Sequence, residues 1–246
     1  MILVRLLLVM AWLLIFAPLA IAQELPFTST SSEIDAAKWY ISDGWSNGDH
    51  QSCEWRADEV IPEKGHVLLR LSDKGGKTRS ISCSEIHSTR RSRYGRYEAR
   101  LRAASGPGLN TAFFTYVGPP VGVPQHDEID FEILGKDPTK VELTYWTDGR
   151  SSGGTIIPLG FDSSKGFHNY AFEWTPQQII WYVDDKVVYK TPPGAVIPAN
   201  PSRIYFSLWS GAPVEDNWLG HFVYKNAVTA EVALAKFTPA PENDTR

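Results

Sequence analysis

Only two of the 246 residues are cysteine, no stretch beyond residue 22 stays apolar for long, and no segment holds a helical period. The last two absences exclude most architectures. A membrane span needs roughly 20 consecutive apolar residues, so none is expected once the leading segment is gone. Without amphipathic helices, neither a bundle nor an alternating α/β sheet is expected. Positive charge is not in excess either: the formal net charge is −4, and a basic face of the kind that binds nucleic acid is not expected. His50, His66, His87, His126, His168 and His221 are too dispersed for a ligand cluster, so no catalytic metal and no cofactor is expected. Cys53 and Cys83 leave one possible pairing within the chain. In an oxidising compartment they form a disulfide whose loop of about 30 residues contributes roughly 3–4 kcal/mol in the chain-entropy model; otherwise they are two buried thiols.

Positions 1–22 read as a secretory signal. Arg5 precedes an apolar run over 6–15, and Ala20-Ile21-Ala22 has the small-x-small form of a cleavage site. The mature chain then begins at Gln23, outside the cytoplasm, as a monomer. At 43% hydrophobic and 21% charged it has the make-up of one ordinary globular domain, 23–237, long enough for a sizeable core. Residues 238–246 read as a frayed polar tail. Strand-like runs follow one another at 53–61, 67–72, 79–87, 94–104, 140–147, 168–175, 178–183, 204–209 and 228–237, with breaks such as Asp73-Lys74-Gly75-Gly76 and Ser105-Gly106-Pro107-Gly108. Many short strands without alternating helices predict an all-β, jelly-roll β-sandwich.

One of these strands is unlike the rest. In His126-Asp127-Glu128-Ile129-Asp130-Phe131-Glu132, period-2 alternation puts Ile129 and Phe131 on one face and Glu128, Asp130 and Glu132 on the other. No Lys or Arg is interleaved, so three like charges repel along one face, a cost that chemistry explains better than packing does. Two carboxyls flanking a sugar-sized gap are the equipment of glycoside hydrolysis. At about 3.3 Å rise per residue the Cα atoms of Glu128 and Glu132 are about 13 Å apart. Inward-leaning side chains leave about 5–7 Å between carboxyls, against about 5–5.5 Å for retaining enzymes and about 6.5–9.5 Å for inverting ones. Nine tryptophans and ten tyrosines exceed what a sandwich interior needs. Strands carrying aromatics on both faces, such as Trp181 beside Tyr182 or Phe206 beside Tyr205 and Trp209, suggest that a few rings stack sugars while most are packing.

The run from His126 to Glu132 resembles the E-x-D-x-E signature of glycoside hydrolase family 16. The resemblance extends through Asp43-Gly44-Trp45-Ser46-Asn47-Gly48, Tyr94-Gly95-Arg96-Tyr97-Glu98, Leu134-Gly135-Lys136-Asp137 and Trp218-Leu219-Gly220. Within that family the chain is similar to the lichenases, secreted bacterial endo-β-1,3-1,4-glucanases, and to endoglycanases that trim the acidic exopolysaccharide succinoglycan. The resemblance implies a concanavalin-like jelly roll with a substrate groove across its concave sheet. It also implies Glu128 as nucleophile, Glu132 as general acid/base and Asp130 as the helper between them. Groove positions matching the family are Asn47, Glu85, Tyr116, Trp146, Trp209 and Trp218, with His126 beside them.

Departures accompany the match. Lichenases have tryptophan at the position of His126, arginine at that of His87 and asparagine at that of Thr144, so strict lichenase specificity does not follow. The lichenase calcium site uses an aspartate where this chain has Ala233. Besides a retaining endo-β-glycanase acting on β-glucan or an acidic exopolysaccharide, two readings stay open: a xyloglucan-type endotransglycosylase, which would lengthen as well as shorten chains, and a carbohydrate-binding jelly roll without catalysis. Arg90-Arg91-Ser92-Arg93 is either a solvated turn or a contact for anionic polysaccharide. Asn243-Asp244-Thr245 has the form of a glycosylation sequon.

Overall fold

The computed structural model describes residues 23–24, 34–118 and 120–241; the expected signal at 1–22, the sequon and the last five residues lie outside them. In chain order the strands are β1 (Gln23–Glu24), β2 (Trp39–Ile41), β3 (Cys53–Trp55), β4 (Val60–Glu63), β5 (His66–Leu71), β6 (Ile81–Ser88), β7 (Gly95–Arg102), β8 (Leu109–Tyr116) and β9 (Glu128–Leu134). Then follow β10 (Lys140–Thr147), β11 (Arg150–Ser151), β12 (Thr155–Pro158), β13 (His168–Trp174), β14 (Ile179–Val183), β15 (Lys186–Lys190), β16 (Arg203–Ser210) and β17 (Val228–Pro239). One short helix, α1 (Asp216–Leu219), follows β16.

Two sheets form the jelly-roll sandwich. The front sheet runs β11-β10-β9-β8-β16-β6-β2, with β12 also on β10 and β3 on β6; the back sheet runs β15-β14-β13-β7-β17-β5-β4, with β1 also on β17. Every pairing is antiparallel except β3 with β6, the pair that the Cys53–Cys83 disulfide joins across a Cα separation of 5.7 Å. The expected strand over 53–61 is broken, because a 3-10 turn at Ala57–Glu59 separates β3 from β4. β17 continues to Pro239, pairing Thr238 with Arg96 and Pro239 with Gly95, and the Ala240 N–H donates to the Tyr94 carbonyl. The ordered chain therefore runs past Phe237, into the stretch read as tail. Ala233 falls in a register shift of β17 between Val232 and Leu234, and its methyl cannot supply the carboxylate oxygen of an aspartate at that position.

Aromatic rings fill the space between the sheets. Ile129, Phe131 and Ile133 of β9 point inward, and Phe131 meets Tyr170 of β13 edge-on at 5.5 Å. Phe113 of β8 lies 5.6 Å from Phe172 of β13 and 5.2 Å from Phe206 of β16. Each such ring, fully withdrawn from water, contributes about 1.5–3 kcal/mol. Trp181 of β14 is buried, and its indole N–H donates to the Asp130 carbonyl at 3.2 Å, so the back sheet pins the acidic strand at its centre. On the outer face of β14, Tyr182 lies under Arg96 and bonds Glu173; this ring belongs to a surface ion network, whereas Tyr205 and Trp209 on β16 face the cleft described next.

Candidate active site

Antiparallel register arranges the outer face of the front sheet in rows. Glu128 shares a row with Tyr116 and Trp146, Asp130 with Phe114 and Thr144, and Glu132 with Ala112 and Glu142. The rows continue across β16 and β6: Arg203 opposes Tyr116, Tyr205 opposes Phe114 and His87, and Ser207 opposes Ala112 and Glu85. Over them lies a cleft of about 790 Å³ whose floor includes all three acidic residues of β9. Ile129 and Phe131 fix this presentation, because a slip of one residue would turn the carboxyls into the core.

The three carboxyls do not share one environment. Asp130 is buried, and burial, followed by the charges of Glu128 and Glu132 and a hydrogen bond with Glu128, holds its pKa well above the carboxylate range. Glu132 is pushed up to about 8, first by burial and then by Glu128, Glu142 and Glu215, against the opposing hydrogen bond from the Asn110 amide at 2.9 Å. Glu132 therefore holds its proton at neutral pH, and Asp130 is shifted toward its protonated form. Glu128 is hydrogen-bonded by a histidine. His126 Nδ1 accepts the Gly122 N–H at 3.1 Å, which puts the imidazole proton on Nε2, and Nε2–H then donates to Glu128 Oε2 at 2.5 Å. His126 itself is wedged between Trp146 at 4.6 Å and Tyr116 at 5.4 Å.

A face of carboxyls in a cleft, two of them shifted toward their protonated forms beside one that receives donors, is acid–base and nucleophile chemistry on a scale that fits a sugar. The family model for glycosyl hydrolases family 16 matches residues 47–226, more than half of the chain. The chain belongs to that family. It is 39% identical over 214 residues to the endo-1,3-1,4-beta-glycanase ExoK of Rhizobium meliloti, covering 87% of this chain and 79% of that protein. It is 42% identical over 229 residues to a beta-glucanase of Paenibacillus macerans, covering 93% and 94%. The crystal structure of a beta-1,3-1,4-glucanase (lichenase) from a mouse hindgut metagenome superposes with a TM-score of 0.81 at 34% identity, covering 90% of this chain and all of that one.

As a family 16 glycoside hydrolase, the chain distributes its expected groove residues unevenly. Asn47, Glu85, Tyr116 and Trp209 line the cleft. Glu85 is buried there with the Ser42 hydroxyl at 2.6 Å, and burial, outweighing that bond, pushes its pKa to about 7. His126 does not line it: this side chain is fully buried while Glu128 keeps 18% exposure, so the histidine touches Glu128 and cannot touch a sugar. Trp146 packs on His126 and is likewise outside the cleft lining. Trp218 stands beyond Trp209 at 6.1 Å and donates its indole N–H to Glu142 Oε2 at 2.8 Å. Tyr205, expected among strands with aromatics on both faces, lines it as well, whereas Phe114 and Arg203 line it without a distinguishing signal in the sequence; strand parity relative to Glu128 is the clue that would have placed them. His87, noted only as a departure, is stacked between Tyr40 and Tyr205 on the same face.

Asp127, the inward neighbour of Glu128, has a different task. Its Oδ2 accepts the N–H groups of Ala199 and Asn200 and the Asn200 amide, and its Oδ1 accepts the Asp148 N–H. These bonds tie two loops to the start of β9. Among the described residues, no group of three or more His, Cys, Asp or Glu side chains is arranged to hold a metal ion, and no helix is long and apolar enough to cross a membrane.

Proposed function

We propose that the protein is a secreted, retaining endo-β-1,3-1,4-glucanase, with β-glucan or a related exopolysaccharide drawn through the front-sheet cleft. The observation that carries this reading is the division of protons along β9: Glu132 holds one while Glu128 receives hydrogen bonds from His126 and Asp130. In the first step Glu128 attacks the anomeric carbon, the glycosidic C–O bond breaks, and the Glu132 proton goes to the departing oxygen. Forming the ester removes the Glu128 charge, so Glu132 and Asp130 lose a repelling neighbour and release protons more readily. Glu132 is thereby ready to take a proton from water, whose oxygen bonds the anomeric carbon as the Glu128 ester breaks. Tyr116 and Trp209 offer ring faces to the sugars. The names and extents of the similar β-glucanases support the substrate class, and the form of residues 1–22 supports secretion.

The test is Glu128→Ala. Its kcat on lichenan is expected to fall by about 10⁴-fold or more, and azide is expected to restore turnover of an aryl β-glycoside with formation of an α-glycosyl azide. An α-azide from Glu132→Ala, with a β-azide from Glu128→Ala, would reverse the assignment.

A further inference from the structure

Of the three arginines in the basic turn, Arg91 is the one that approaches the cleft wall, at Gly118. Arg93 lies over the Tyr94 ring at 4.6 Å, and Arg90 lines a separate cavity of about 240 Å³ with Lys38. Arg91 is exposed and donates through Nη1 to the carbonyls of Val117 and Pro201. There it meets Arg203, which lines the cleft from β16. A Cβ built on Gly118 would stand 3.5 Å from Arg91 Nη2 and 3.8 Å from Arg203 Nη1, so two guanidinium groups converge on one open point of the cleft wall. Gly118 has φ +102°, where a side chain is strained, and the point stays unfilled.

The pair lacks a counter-charge. The hydrogen bonds of Arg91 go to neutral carbonyls. Arg203 has a buried Nε without a partner and otherwise meets the Tyr205 hydroxyl. Among the described residues neither forms a salt bridge, whereas Arg56, Arg70, Arg79, Arg96 and Arg102 each do. Burial and then the Arg203 charge depress Arg91, and His87 beside them is depressed by burial and then by both arginines. Two cations facing each other with no anion between them are a cost to the fold that an anionic ligand would relieve. Their place suits a substituent on a bound chain. Arg203 is in the Glu128 row, two strand spacings or about 10 Å away, far enough to leave the cleaved bond untouched.

We propose that Arg203 and Arg91 form a subsite for a carboxylate carried by the polysaccharide in the cleft. The proposal deepens the glucanase reading and rests on it. The carboxylate belongs either to a uronic acid of the main chain or to a pendant acidic group, and both satisfy the same two guanidinium forks.

Affinity electrophoresis and hydrolysis of three polymers test it: lichenan, lichenan oxidised at C6, and carboxymethylated lichenan. The readout is the ratio of affinities for acidic and neutral polymer within one protein. The wild type is expected to prefer at least one acidic polymer, with the preference fading as salt screens exposed charges; which polymer is preferred identifies the source. Arg203→Gln and Arg91→Gln are each expected to lower the ratio about threefold to tenfold, and Arg203→Lys less. If Arg203→Gln fails to fold, Arg91→Gln, on the exposed turn, carries the test. A wild-type ratio of one, or a ratio unchanged in the variants, overturns the subsite. Lichenan shortened with a ratio of one sinks the subsite alone. A high, arginine-dependent ratio with no polymer shortened sinks the hydrolase reading and leaves the subsite standing.

Discussion

Two groups of acidic residues withdrawn wholly or partly from water have opposite fates in this molecule. Behind the disulfide strands, Glu59 is fully buried, yet it accepts the Ser72 hydroxyl at 2.5 Å, the Ser82 hydroxyl at 2.7 Å and the Arg70 guanidinium. Glu54, equally buried, accepts the Lys77 N–H and both the N–H and hydroxyl of Thr78, and these bonds outweigh its burial and leave its pKa lowered. In the cleft, Glu132 has one amide donor and Glu85 one hydroxyl, and burial prevails in both. Glu54, Glu59 and Glu85 are alike buried and Glu132 is half-buried, so it is the number of donors that separates the two groups. A carboxyl saturated with donors is a structural brace, and one left short of donors keeps a proton to give away.

The contrast can be broken at several points. Glu132→Ala is expected to cost about 10²–10⁴-fold in kcat on polysaccharide while largely sparing the first step on an aryl glycoside with a good leaving group; equal losses on both substrates would deny it the proton. Glu59→Gln strands the Arg70 charge and is expected to cost about 3–5 kcal/mol in denaturant unfolding, with the activity of the folded fraction kept. A loss under about 1 kcal/mol there would show that the bracing donors contribute little. His126→Phe removes a donor from Glu128 without altering the sugar surface, so kcat is expected to fall about tenfold to a hundredfold with KM little changed. A rise in KM alone would return His126 to the groove.

The smallest expected effect sharpens the account of Glu132. The acidic groups facing it are Glu128, Glu142 and Glu215, opposed by Asn110. Glu142→Gln removes one charge that raises it, so its proton is lost at lower pH. The alkaline limb of kcat/KM, expected near pH 8 from the raised Glu132, should move downward, while the acid limb stays. An unmoved limb would exclude Glu142 from the electrostatics of the acid/base.

The catalytic strand was legible in the sequence because alternation is a local signal: each apolar residue of β9 implied an acidic residue on the opposite face. The strand beside it was not. In β8, Asn110, Thr111, Ala112 and Phe113 are all buried, and polar and apolar types occur on both its core and its cleft face, so no period separates them; its existence could be inferred only from what must lie next to β9. β15 failed for the reverse reason, as Lys186 and Val187 of that edge strand are exposed and resemble a loop in composition. The family resemblance puts His126 among the groove positions, whereas the inward turn of the chain before β9 buries it beneath them. The meeting of Arg91 with Arg203 joins two residues 112 positions apart through register alone, and nothing local announces it.

The position of β17 bears on how the chain reaches this state. The last strand is not at an edge: it lies between β7 and β5 and also pairs β1. A growing chain that stops short of Val228 therefore holds β7 and β5 as two separate hairpin assemblies, each with an open edge and no common sheet behind the front one. Closure of the back sheet therefore waits on the twelve residues of β17, and the long-range pairings they make with β7 and β5 come late in folding.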